Sequence, residues 1–98
     1  MARPLEKQIL SFGEIQEPHK SLTIAYSSVR VEPDKLYTEM EPIDPIRHLI
    51  IILQENARDM GGDGLKNIQI QVTPITLSDG RQVIDYYAMA TIVQLLEE

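Results

Sequence analysis

Asp44-Pro45-Ile46-Arg47-His48-Leu49-Ile50-Ile51-Ile52-Leu53-Gln54-Glu55-Asn56-Ala57-Arg58-Asp59-Met60-Gly61-Gly62 is the stretch on which the fold turns. As an N-cap, the Asp44 carboxylate accepts first-turn N–H groups. Pro45 follows at the first helical position, where no donor is needed. Ile46, Leu49, Ile50, Leu53, Ala57 and Met60 recur at helical spacing and form one apolar stripe. Gly61 or Gly62 stops the helix, because glycine enters the left-handed conformation at a C-terminus without strain. The run Leu49-Ile50-Ile51-Ile52-Leu53 widens the apolar surface, so that Ile51 and Ile52 point partly away from the stripe. Either they form an exposed shoulder or they are buried against another subunit, and we favour the second.

Two strands follow. Ile68, Ile70 and Val72 alternate with Asn67, Gln69, Gln71 and Thr73, the period of a half-buried strand. From Val83 to Leu95 both faces are apolar, with Val83, Tyr87, Met89 and Val93 on one and Ile84, Tyr86, Ala88, Ala90 and Ile92 on the other. Asp79-Gly80 between the strands suits a type I′ turn, with positive φ at both central residues. That turn sets Ile70 opposite Met89 and Val72 opposite Tyr87, on the face the helix covers. Ala88 and Ala90 then lie on the far face beside Gln71 and Gln69, where small side chains admit another element.

Upstream, residues 1–7 are polar and loosely ordered by expectation. Gln8 to Ile15 suggests a short strand, and Glu17-Pro18-His19-Lys20 a polar break. Leu22-Thr23-Ile24-Ala25-Tyr26 alternates, and Val29 and Val31 extend it past a bulge at Ser27-Ser28. Residues 32–44 form an acidic connection containing Pro33 and Pro42, with Leu36, Tyr37 and Met40 spaced for one helical turn. We read it as a solvated crossover pinned by those three residues. The order β(β)-α-β-β argues for an α+β, two-layer sandwich, one main helix on a mainly antiparallel sheet.

The 98 residues suffice for a single domain, 1–98, with one core. One Phe and no Trp make that core aliphatic, and the absence of Cys removes disulfides, thiolate metal sites and thiol nucleophiles. A net charge of −6 with scattered basic residues disfavours nucleic acid. The N-terminus lacks the apolar core of a signal peptide and no run reaches membrane-spanning length, so the expectation is a cytoplasmic protein without membrane insertion.

Asn56-Ala57-Arg58-Asp59-Met60-Gly61-Gly62-Asp63-Gly64-Leu65-Lys66-Asn67-Ile68 resembles the helix-to-strand passage of the YbjQ-like family. Tyr87-Ala88-Met89-Ala90-Thr91-Ile92-Val93 is similar to that family's closing strand. The likeness spans roughly residues 45–95, and departs at Gly62, where alanine is usual, and at Met89, where glycine is favoured. Members are described as heavy-metal-binding proteins. The resemblance implies a dodecin-like subunit and a ring-shaped homo-oligomer, typically a pentamer.

The metal label transfers poorly to a chain whose only imidazoles are His19 and His48. Asp44 and His48 stand one helical turn apart, as ligands can, but an acid near a helix N-terminus beside a surface histidine is the plainer reading. Glu55 and Asp59 share a face, with Arg58 nearby. Asp59-Met60-Gly61-Gly62-Asp63-Gly64 follows a helix C-terminus, the wrong end for phosphate, and lacks the spaced acids of a calcium loop. No nucleophile elbow is present, and Ser11, Ser21, Ser27, Ser28 and Ser78 show no local base. Asp85, inside an apolar strand, titrates high if buried or pairs with a partner subunit's cation. Tyr26, Tyr37, Tyr86 and Tyr87 read as packing residues or as a stacking platform.

The expectation is therefore a homo-oligomeric ring with a structural or protein-interaction role, no enzyme, with no tightly bound metal and no cofactor. The competing class is a small-molecule or metal binding module with its site between subunits. The candidate oligomer interface comprises Ile51, Ile52, Ala88, Ala90 and Ile92.

Overall fold

The computed structural model describes residues 4–32 and 44–96. A 3-10 turn, Leu5–Lys7, leads to β1 (Ile9–Leu10) and β2 (His19–Val31). Then come α1 (Asp44–Asp59), β3 (Gly64–Thr76) and β4 (Gln82–Leu95). The sheet order is β1-β3-β4-β2, with β1 parallel to β3 and the other pairs antiparallel. The architecture is α+β, one helix on a four-stranded mixed sheet. The acidic connection read at 32–44, with Leu36, Tyr37 and Met40, falls almost wholly at 33–43, outside the described residues.

The apolar stripe of α1 faces the sheet. Leu49, Leu53 and Ala57 are fully buried and pack on Leu65, Tyr86, Ala88, Ala90 and Ile92. Each buried leucine contributes about 2 kcal/mol by removing apolar area from water. Beyond Asp59 the helix stops as its glycines dictate. Gly61 takes φ +77°, its N–H donates to Arg58 O, and the Gly62 N–H donates to Ala57 O at 2.7 Å. That pair of bonds satisfies carbonyls the helix leaves orphaned.

The hairpin register differs from the expected one by a single residue, and the cause is the turn. Among the described non-glycine residues only Asn67 has positive φ, so Asp79 does not supply a type I′ turn. Instead the Gly80 N–H donates to Leu77 O, Leu77 N–H donates to Arg81 O, and Gly80 alone takes φ +89°. This is the longer loop in which a left-handed glycine follows the turn. It pairs Ile70 with Ala88 and Val72 with Tyr86, not with Met89 and Tyr87. A one-residue slip exchanges the faces. Ala88, Ala90 and Ile92 therefore lie under the helix, at 0–2% exposure, and not on the far face.

Four smaller corrections follow. The irregularity in β2 falls between Ser21 and Thr23, while Ser27 and Ser28 pair regularly with Ala88 and Tyr87. His19 and Lys20, read as a break, open β2 by pairing with Leu95 and Gln94. Of Gln8–Ile15 only Ile9–Leu10 is strand, because Ser11 Oγ accepts the Gly13 N–H and donates to Glu14 O, closing a local turn. Nor is the start of the chain wholly loose. Gln54 Nε2 donates to Leu5 O, and Gln8 Nε2 donates to Gln54 O.

The strands outrun the helix. The radius of gyration is 15.6 Å, against about 13 Å for a compact chain of this length, and the principal extents are 56 × 22 × 21 Å.

Candidate interaction surface

Alternation along β2 divides its side chains by size. Thr23, Ala25 and Ser27 share the helix side with their partners Ile92, Ala90 and Ala88. Ile24, Tyr26, Ser28 and Arg30 project from the opposite face, beside Thr91, Met89, Tyr87 and Asp85. Ile24 is 62% and Tyr26 69% exposed, whereas Met89 and Tyr87 on the adjoining strand are half-buried. The Tyr26 ring stacks on Tyr87 with centroids 6.2 Å apart and planes 23° from parallel. Apolar exposure on this face is thus greatest at the outermost strand. A hollow of about 440 Å³ lies further in, lined by Gln69, Ile70, Gln71, Tyr87 and Met89.

Two ion-pair groups frame the face. Arg30 Nε and Nη2 donate to the two Asp85 carboxylate oxygens at 2.7 and 3.0 Å. That fork holds the Asp85 carboxyl below its ordinary pKa and raises Arg30. The expectation that Asp85 titrates high, or finds a partner subunit's cation, is therefore corrected: its cation stands across the strand pair in the same chain. At the other end Lys66 Nζ donates to Glu14 Oε1 at 2.9 Å, and that bond, with the Ile15 N–H, lowers the Glu14 pKa. His19 Nδ1 lies 2.7 Å from the Glu17 carbonyl, which only accepts, so the proton sits on Nδ1. Nε2 is then an acceptor for Lys66 Nζ at 3.1 Å.

The open edge of β2 also meets the end of α1. Thr23, Ile24, Ala25, Tyr26 and Ile92 line a groove of about 330 Å³ with Asn56, Asp59 and Met60. Met60, read as the last residue of the helical stripe, is half exposed there and does not join the core.

Of the interface residues expected from sequence, Ala88, Ala90 and Ile92 are core residues with no surface to offer. Ile51 is 46% exposed and Ile52 half-buried, on the helix and away from the β2 face. His48 is exposed on α1, and the Arg58–Asp59 separation of 4.0 Å is a loose surface pair. Tyr86 is core at 4% exposure, and Tyr37 lies outside the described residues. Among the described residues no three His, Asp or Glu side chains group closely enough to hold a metal ion. No helix among them is long and apolar enough to cross a membrane. Ile24 and Tyr26 were missed because alternation separates two faces without saying which one the helix takes.

No family model matches the chain, and no curated protein matches it either. Among solved structures it is similar to a crystal structure of a protein of unknown function from Pediococcus pentosaceus ATCC 25745, described as belonging to the DUF74 family. The TM-score is 0.71 at 12% sequence identity, over 91% of this chain and 98% of that one. What the likeness shows is the fold, a helix laid across one face of a four-stranded sheet.

Proposed function

We propose that this chain is a cytoplasmic, non-catalytic protein that works as a homo-oligomer of YbjQ-like subunits, its role lying in the assembly or in a protein docked on it. The observation that carries this reading is the helix-free face, where Ile24 and Tyr26 stand more than 60% exposed side by side. Adjoining exposed apolar side chains on so small a protein mark a surface that is covered in use. Fold similarity to a DUF74 protein, a YbjQ-like family, supports the same reading. Native mass spectrometry of untagged protein reads the subunit count, and a count of five matches the ring that the resemblance implies. Ile24→Asp puts a charge on the apolar face and is expected to give smaller species with an unchanged circular dichroism spectrum. A wild-type monomer at micromolar concentration overturns the proposal.

A second reading, a small-molecule module, draws on the hollow between Gln69, Gln71, Tyr87 and Met89, where amides and an aromatic ring converge on an apolar floor. A ligand mass retained in the same native spectrum favours it.

A further inference from the structure

We propose that His19, Lys66 and Glu14 form an acid-operated latch: protonation of His19 passes the hold on Glu14 from Lys66 to His19 and loosens the turn at 11–18 from β3. The device needs no second chain and stands apart from the assembly reading. Three elements meet at it. Lys66 Nζ on β3 donates to Glu14 Oε1 in the turn at 2.9 Å and to His19 Nε2 on β2 at 3.1 Å. His19 Nε2 also lies 3.4 Å from Glu14 Oε1. The histidine and lysine side chains are only 12% and 14% exposed, so this is no loose surface pair. β3 is irregular between Lys66 and Gln69, with Asn67 at φ +53°, and such bulges re-aim the side chains beside them.

The hydrogen bonds select a charge state. With its proton on Nδ1, facing the Glu17 carbonyl, the ring offers Nε2 as an acceptor, and an ammonium can only donate. Lys66 therefore bridges a neutral imidazole and a carboxylate. Glu14 stays ionised from pH 8 to 5, because hydrogen bonds from Lys66 and from the Ile15 N–H hold its pKa below the ordinary value. On β4 the residue opposite His19 is Leu95, whose N–H is taken by the Asp63 carboxylate at 2.7 Å. The remaining charges beside the ring in sequence, Glu17 and Lys20, belong to exposed residues.

A second proton on the ring reverses these roles. Imidazoles gain charge as pH falls from 8 to 5. Nε2 then carries an N–H that faces an ammonium 3.1 Å away, so the hydrogen bond is lost and the two cations repel. The Glu14 carboxylate, already 3.4 Å from Nε2, accepts the new N–H, and Lys66 turns to water. Because Glu14 belongs to the turn, its tie to β3 is replaced by a tie to β2. Backbone bonds then hold the turn to β3 without the clamp, among them Asn67 N–H to Gly13 O at 2.9 Å and Ile68 N–H to Ser11 O at 3.1 Å. Those two bonds open more often once the ammonium has left.

Nuclear magnetic resonance of the full chain between pH 8 and 5 tests this. Amide protection at Asn67 and Ile68, corrected for the intrinsic pH dependence of exchange, is expected to fall about tenfold, as the loss of one charge-assisted hydrogen bond implies. The fall should share its midpoint with the His19 ring, and nuclear Overhauser contacts between the Lys66 ε-methylene and that ring should vanish with it. His19→Gln keeps an N–H for the Glu17 carbonyl and an oxygen for Lys66 but cannot titrate, so its protection is expected to stay constant. Contacts retained at pH 5, a midpoint that follows the exposed His48 instead, or the same fall in His19→Gln overturns the latch. Lys66→Met is expected to show low protection already at pH 8 and little further loss at pH 5. Should His19→Gln fail to fold, a fall of wild-type size in Lys66→Met overturns the latch in its place.

Discussion

A single dihedral angle decides which side of the hairpin becomes core. Gly80 sits at φ +89° with nothing within 4 Å of where a Cβ would stand, so the constraint is conformational and not steric. Gly80→Val therefore costs on the order of 1 kcal/mol or more, read as a lower thermal midpoint without loss of secondary structure. Gly62 is the opposite case. A Cβ there would lie 2.7 Å from Ile92 Cγ2 and 3.1 Å from the carbonyl oxygens of Ala57 and Val93. This explains the glycine at a position where the resembled family carries alanine: fully buried Ile92 fills the space. Gly62→Ala is expected to destabilise by about 1–3 kcal/mol through overpacking, measurable by urea denaturation. The double variant with Ile92→Leu should recover part of that loss, since leucine lacks the β-branch methyl Cγ2 against which the new Cβ presses.

At the scale of elements, what was legible was whatever has a strong local cause. The helix shows its proline at the start, its 3.6-residue stripe and its glycine stop, and it runs Asp44–Asp59 with that stripe inward. The two long strands were legible from alternation and from β4's double-sided apolar character. Which face of β4 is core was not legible, because the choice depends on one residue of loop length between Leu77 and Arg81. The strand alternation put Leu22, Ile24 and Tyr26 in one alternating run without revealing that nothing in the described chain covers Ile24 and Tyr26. The pairing of β1, though not the short strand itself, was hidden for a different reason. A parallel pairing of Ile9 and Leu10 with Gly64 and Leu65 is a long-range contact with no local signature. The start of the chain is also held by polar groups. Gln54, 9% exposed on α1, donates from its amide to the Leu5 carbonyl at 3.1 Å. Gln54→Leu should leave the helix intact, cost about 1 kcal/mol for the lost bond, and speed hydrogen exchange at Lys7, Gln8 and Ile9. Unchanged exchange at those amides would show that the 3-10 turn is anchored by β1 and by the Gln8 amide on the residue 54 carbonyl.

For the whole molecule, the two ion-pair groups fix how stability depends on acid. Glu14 and Asp85 are both depressed in the fold, the first chiefly by the hydrogen bond from Lys66 and the second by that from Arg30. A carboxyl with a lowered folded-state pKa binds fewer protons when folded than when unfolded. Its contribution is fully present above the unfolded-state value, about 4, and is lost as pH falls through the folded-state value. Stability is therefore expected to be flat with respect to these two groups from pH 5 to 7 and to fall below about pH 4. Glu14 is exposed and Asp85 partly so, so each effect is small and weakens further in salt. Asp85→Asn and Glu14→Gln remove the titrations separately, because the pairs sit at opposite ends of the helix-free face. Urea midpoints measured from pH 3 to 7 should show a shallower acid limb in each variant, and the shallowest in the double variant. If the limb keeps its slope in both, acid sensitivity comes from other carboxylates and these pairs serve only to orient β2 against β4 and the Ser11–Pro18 turn against β3.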